Sequence, residues 1–304
     1  MRLMTLVSAL ILLAGCAKGQ SNATSQSLLT SDDIYQEVQD IADQFLTHQP
    51  MQGFEHTMPL AQAYVWQDKF AEYMRPTMGS VIGYKTGGHD PGPGFATFPP
   101  EGIRGLILDG MMLPSGTAIT LDQTRRGFLE ADFAFRVGSA DINQAQSDME
   151  LLAGLDAIIP FAEIPDPYYE IGTRSINGTI VANMGSRMSF VGEPLMIEAS
   201  PAMMENINTF SFAVHDENGV EIDTGTMANW YKPLDVVRWL RDHVHKSGKL
   251  LQPGQLLSLG NIGIIRQLHE NSPRGPAYQS NAFILSYYGL SDTPVSVTIN
   301  INRQ

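Results

Sequence analysis

The sequence predicts an α+β fold, and three observations carry that expectation. Short segments with period-two alternation of apolar and polar residues dominate from residue 117 onward. Amphipathic helical segments are few and scattered among them. No internal repeat is visible along the 304 residues. Hydrophobic content of 43% with 17% charged residues is that of a globular chain, well clear of the disorder regime. The length suffices for one large domain, or a small one joined to a larger one.

Ser31-Asp32-Asp33 reads as a cap, and Ile34, Val38, Ile41, Ala42 and Phe45 draw one helical face behind it. A second helix is expected over 60–74, closed by Pro76, and a short strand over 80–85. Residues 87–102 (GGHDPGPGFATFPPEG) are too rich in Gly and Pro for regular structure. A loop of that length is either functional or a surface insertion. Strands follow at 117–120, 128–137 and 157–164, with a helix expected over 141–152. A hairpin is expected from 208–215 and 220–224 around the Asp216-Glu217-Asn218-Gly219 turn. Pro233 opens a helix that runs to Lys246 and stops at Gly248. His243 and His245 flank Val244 on that helix and diverge, so they are no metal pair. Strands at 255–259, 283–288 and 295–301 complete the chain.

Lys and Arg number 19 against 32 Asp and Glu, a formal charge of −13. That balance argues against nucleic acid as a partner, which needs a basic footprint. One cysteine, Cys16, makes no disulfide framework, and no Cys/His cluster suits structural zinc. Its setting is MRLMTLVSALILLAGC, with a basic residue, an apolar stretch too short to span a bilayer, then small residues leading into the Cys. Leu13-Ala14-Gly15-Cys16 resembles the lipobox of bacterial lipoproteins. The resemblance implies cleavage before Cys16 and lipidation of that residue, with Ala17 favouring the outer membrane. Residues 1–15 would then be a signal peptide and 16–30 a lipidated flexible tether. Losing Arg2 leaves 18 basic residues against 32 acids, a charge of −14.

The segment Leu129-Glu130-Ala131-Asp132-Phe133-Ala134-Phe135-Arg136-Val137 carries the most information. On a strand its apolar residues share one face, and Glu130 and Asp132 share the other. Two such carboxylates repel each other, so either both face water or they hold a cation. Mg²⁺ and similar hard ions take oxygen ligands of this kind.

Three further segments accompany it in order: Gly83-Tyr84-Lys85-Thr86-Gly87, then Pro160-Phe161-Ala162-Glu163-Ile164-Pro165-Asp166, and a closing Pro233-Leu234…Trp239-Leu240…Gly254…Leu257-Ser258-Leu259-Gly260. In this order the chain resembles the 2-keto-4-pentenoate hydratase and 2-oxo-hex-3-enedioate decarboxylase branch of the fumarylacetoacetate hydrolase superfamily, from about Val81 to the C-terminus. The resemblance implies a mixed β-roll or sandwich with peripheral helices over 79–304, preceded by a small helical region at 31–78. It places Glu130, Asp132 and Glu163 on the metal ligands, with Mg²⁺ or Mn²⁺ as cofactor. Lys85 falls on the active-site lysine and Asp166 on a further acid of the site. His89, in the Gly/Pro loop, is a proton carrier if that loop covers the site, and otherwise an ordinary loop histidine. Lys85 itself is either a substrate-binding group or an exposed strand-end lysine.

The implied activity is that of a lyase, a hydratase or decarboxylase before a C–C hydrolase, acting on a small 2-oxo or 2-hydroxydienoic acid. Relatives commonly assemble as homo-oligomers. Some polar groups of the pattern are missing. Ala182 stands where an Asp is expected, and Leu259 where a Thr is, unless Ser258 takes that place by a register change. A lost activity fits these departures as an altered substrate does. The alternative function is therefore a non-catalytic lipoprotein that binds an organic acid or a protein partner through the same fold.

Overall fold

The computed structural model describes residues 30–87, 99, 101–170, 172–270 and 277–303. Cys16 and His89 lie outside them. The first helix, α1 (Ser31–Leu46), is capped one residue earlier than expected, by Thr30. The Thr30 hydroxyl accepts from the Asp33 N–H at 3.2 Å while the Asp33 carboxylate accepts from the Thr30 N–H at 2.9 Å. Helix α2 (Leu60–Met78) runs through Pro76 instead of stopping there. A proline in the last turn removes only one helical hydrogen bond, and Gly79, at φ 75°, closes the helix through its N–H on the Arg75 carbonyl.

The strands are β1 (Val81–Gly87), β2 (Ile103–Leu108), β3 (Met112–Pro114), β4 (Ala118–Thr120) and β5 (Phe128–Val137). Next come helix α3 (Asp148–Ala153), β6 (Leu155–Pro165), helix α4 (Ile176–Val181), β7 (Ser186–Val191) and β8 (Leu195–Met196). Helix α5 (Pro201–Thr209) leads to β9 (Ser211–His215) and β10 (Glu221–Thr226), and then to helix α6 (Pro233–Lys246). The chain ends with β11 (Leu256–Ser258), β12 (Arg266–Gln267), β13 (Ala282–Tyr288) and β14 (Val295–Asn302).

Two further sequence expectations are corrected. The helix expected over 141–152 is a 3₁₀ turn, Ala140–Gln144, followed by the separate helix α3. Ser147 breaks it by forming a capping box with Glu150, which starts a new helix. The strand expected from 208 begins at Ser211, because α5, capped by Ser200 with Pro201 behind it, extends to Thr209.

Among the described residues the strands form two sheets. The larger runs β2-β1-β11-β5-β6-β7-β3, with β12 on β5 and β8 on β6. The smaller runs β10-β9-β13-β14-β4. Parallel pairs (β1 with β11, β3 with β7, β14 with β4) sit among antiparallel ones, so both sheets are mixed. The apolar face of β5, formed by Leu129, Ala131, Phe133, Phe135 and Val137, is wholly buried. Phe133 meets Phe210 edge to face at 5.1 Å, and Phe210 meets Tyr287 of the smaller sheet at 5.8 Å. The same core takes in Val38, Ile41 and Phe45 of α1, and Phe70 and Met74 of α2. The helices thus brace the sheet whose other face carries the acids. No described helix is long and apolar enough to cross a membrane.

Helix α6 buries Leu234, Val237, Leu240 and Val244. Its two histidines part company as their spacing requires. His245 pairs with the Asn143 side chain at 2.9 Å, whereas His243 packs between the Tyr64 and Trp239 rings at 4.6 and 4.8 Å. Burial, with the nearby Arg104 and Lys246 cations, pushes His243 down to about 4. An unfolded chain takes up this proton near 6.5, so the stability contributed by neutral His243 is present above that pH and lost as pH falls toward 4. The thermal midpoint of His243→Phe should therefore fall less steeply than that of the parent between pH 6.5 and 4. Parallel slopes would contradict this account of His243.

Candidate active site

Strand pairing, more than sequence proximity, assembles the site. Glu130 on β5 stands directly opposite Glu163 on β6, and Asp132 opposite Phe161. Opposite residues of an antiparallel pair share a face, so Glu130, Asp132 and Glu163 all project from the same side of the larger sheet. On β1, Lys85 is paired with Ser258 of β11, and Ser258 with Ala134 of β5. That register carries Lys85 and Ser258 onto the acidic face as well.

Lys85, Asp132 and Glu163 are almost entirely buried, at 3%, 1% and 2% exposure. Buried charges persist only when paired. The Lys85 ammonium donates to Glu163 Oε2 in a close ion pair. Burial alone would push Lys85 down, but the carboxylates of Glu163, Glu130 and Asp132 outweigh it and hold the group above the ordinary lysine value. Lys85 is a buried cation here and not an exposed strand end.

Asp132 is the opposite case. Burial pushes its carboxyl well above the usual carboxylate range, and the neighbouring Glu163 charge adds to the shift. The Ser258 hydroxyl, which donates to Oδ2, pulls it back, as do Lys85 and the Phe133 N–H, which donates to Oδ1 at 2.6 Å. Ser258, not the core residue Leu259, thus presents its hydroxyl to the acids. Tyr287 reaches from the smaller sheet and donates to the Asp132 backbone carbonyl and, at 3.1 Å, to that of Phe161. Tyr231 donates to the Gly260 carbonyl at 2.9 Å. Burial and the Asp132 charge raise both phenols, so they remain protonated donors at neutral pH.

Asp166 is fully buried in the turn after β6 and serves a separate network. Its carboxylate accepts the Arg126 N–H at 2.7 Å and the Arg125 N–H at 3.1 Å, and faces the Arg187 guanidinium at 3.1 Å. Arg187 in turn donates to the Phe45 carbonyl at 2.8 Å, tying the end of α1 to this corner. Ala182 is likewise buried, at the C-cap of α4, and its neighbour Asn183 binds β2.

One atom stands out. Glu163 Oε1 is buried and has no hydrogen-bond partner. An unsatisfied carboxylate oxygen in a dry site is costly. Hard oxygen donors of this kind fit a divalent ion of the Mg²⁺ class. Among the described residues, no three acidic, His or Cys side chains are already gathered around one point. Lys85 engages only Oε2 of Glu163, so Oε1 is the oxygen that such an ion would find open.

The fold and the face together define a mixed α+β scaffold with a buried acid and lysine centre. No protein-family model and no curated protein matches the chain. Among solved structures, the fold is similar to that of 4-oxalocrotonate decarboxylase from Pseudomonas putida G7 complexed with magnesium and adipate. The two share 18% identity over 90% of this chain and 99% of that one, with a TM-score of 0.70. A structure of 4-oxalocrotonate decarboxylase from the same source, complexed with calcium and acetate, gives 17% identity, the same coverage and a TM-score of 0.68. This likeness establishes the fumarylacetoacetate hydrolase-like fold expected from the sequence.

The raised Asp132 group sets a test without any ligand. A carboxyl whose folded value exceeds its unfolded one holds its proton longer when folded, so metal-free stability falls as pH rises from the ordinary aspartate value of 3.8 through the raised one. Asp132→Asn should remove that component and raise the thermal midpoint at pH 7.5 in the presence of EDTA. A lowered midpoint would show that ionised Asp132 is stabilising.

Proposed function

We propose that the protein is a divalent-metal-dependent lyase, a hydratase or decarboxylase, that acts on a small 2-oxo or 2-hydroxydienoic acid. The observation that carries the reading is the buried, unpartnered Glu163 Oε1 on a face shared with Glu130, Asp132 and Lys85. The shared fold supports it, since the similar decarboxylase was solved with magnesium and a dicarboxylate.

Glu130, Asp132 and Glu163 are the residues that would hold Mg²⁺ or Mn²⁺. Such an ion supplies Lewis acidity toward the oxygens of a 2-oxo acid, favouring the enolate character that hydration and decarboxylation share. The chain's own groups supply the rest. The Lys85 ammonium, which donates to Glu163 Oε2, has further N–H donors that would serve the substrate carboxylate or its C2 oxygen. Ser258 fixes the rotamer of Asp132 through its hydroxyl. Asp166 orders the Arg125-Arg126 turn and Arg187 at the end of β6, which is a positioning role. His89 would serve as the proton carrier from the 87–102 loop.

Localisation belongs to the same proposal. Lipid on Cys16 would anchor the chain to the envelope, with the outer membrane as the expected site and residues 16–30 as tether. In a bacterial host, Cys16→Ser should shift the protein from the membrane fraction to the soluble one, and mass spectrometry of the parent N-terminal peptide should show acylation at Cys16. An unmodified Cys16 in the parent protein contradicts the anchor.

For the activity, 2-hydroxypenta-2,4-dienoate and 2-oxo-hex-3-enedioate are followed by ultraviolet absorbance with Mg²⁺ or Mn²⁺ present. Turnover of one is expected, with EDTA abolishing it and Lys85→Met lowering kcat by about 10²-fold or more. By calorimetry, Glu163→Gln should weaken Mn²⁺ binding by more than about tenfold. Metal binding with no turnover of either acid redirects the reading to organic-acid binding. Absence of both refutes it.

A further inference from the structure

A strained turn beside Lys85 has no part in the chemistry described so far. Asn183, Met184 and Gly185 are consecutive residues with φ of 50°, 61° and 71°, all in the left-handed region. Asparagine and glycine tolerate that region, but a methionine there is strained. Backbone strain of this kind persists only where surrounding contacts enforce it. Those contacts are present on both sides of the turn. The Asn183 side chain accepts from the Leu106 N–H at 2.7 Å and donates to the Leu106 carbonyl at 2.9 Å, clamping the turn to β2. The Gly185 carbonyl accepts from the Asp166 N–H at 2.8 Å, clamping it to the end of β6.

The strained side chain is aimed at Lys85. Gly105 lies directly opposite Lys85 across the β1–β2 pair. A Cβ built on Gly105 would meet Lys85 Cγ at 2.7 Å, Lys85 Cδ at 3.1 Å and Met184 Sδ at 3.1 Å. The lysine stem and the thioether therefore share the space that this missing side chain leaves open. Gly87, two residues beyond Lys85 on the same strand face, lacks a Cβ where the Met184 methyl group lies. Met184 is half-buried, while the lysine beneath it is almost wholly so.

We propose that Met184 is a positioning residue for Lys85, a thioether wall that holds the lysine stem against Gly105 and directs its ammonium to the acids. An unbranched, polarisable side chain suits the irregular gap above a flexible lysine. The backbone strain is the means by which it is delivered there. The inference deepens the proposed activity and rests on it only for kinetics, since the packing of Lys85 is measurable without a substrate.

The test uses Met184→Ala, Met184→Asn and Met184→Leu in the full chain. Reductive methylation of Lys85, quantified by peptide mass spectrometry, should be several-fold faster in the Ala and Asn variants and near the parent rate in Leu. Asn fits the left-handed backbone, so it decides the matter if the Ala variant does not fold. Where turnover is measurable, kcat should fall about tenfold in Ala and Asn with KM little changed, and Leu should restore it. Lys85 methylation at the parent rate in Met184→Asn would overturn the inference. A changed methylation rate in a protein without lyase activity would keep the inference and remove the proposed reaction.

Discussion

The Lys85–Glu163 ion pair is the constraint around which the rest of the site is arranged. A buried lysine is tolerable only with a carboxylate at hand, and a buried carboxylate only with donors or a cation. Removing one member of such a pair typically costs about 3–5 kcal/mol, because the other is left charged and dry. Glu163 meets Lys85 through one oxygen and nothing through the other. That half-satisfied state sets this centre apart from a purely structural salt bridge.

Each neighbouring element serves the same electrostatic problem. The register of β5 with β6 puts Glu130 against Glu163, and the parallel pairing of β1 with β11 carries Lys85 and Ser258 to the same face. The opposite face of β5 is solid apolar core, so these strands have little freedom to shift. Tyr287 crosses between the sheets to hold the backbone at Asp132 and Phe161. Asp166 and Arg187 lock the corner to α1. The molecule thus combines rigid strands with one buried carboxylate oxygen that no protein group satisfies.

Much of this was legible in the sequence where the pattern is local. Period-two alternation placed Glu130 and Asp132 on one face of β5, and the apolar run before Glu163 marked β6. The contact of Lys85 with Glu163 was not readable from spacing, because 78 residues separate them and only the sheet order joins them. Ser258 and Leu259 differ by one position, and in a strand that flips the side chain between site and core. Strand β2 follows the Gly/Pro-rich stretch and is buried on both sides, so its residues carry no alternation to read. The Asn183-Met184 turn gave no signal, since nothing in a methionine announces a left-handed backbone. The resemblance implies a site role for Asp166, and its carboxylate binds backbone N–H groups and faces an arginine, partners that only the folded chain brings to it.

The proposed centre is one face on which Glu130, Asp132 and Glu163 would hold a divalent ion beside Lys85. Anomalous diffraction from crystals of the protein grown with Mn²⁺ tests it most directly. The account predicts a manganese peak contacted by carboxylate oxygens of Glu130, Asp132 and Glu163. A manganese peak elsewhere, or none at these acids, would contradict it.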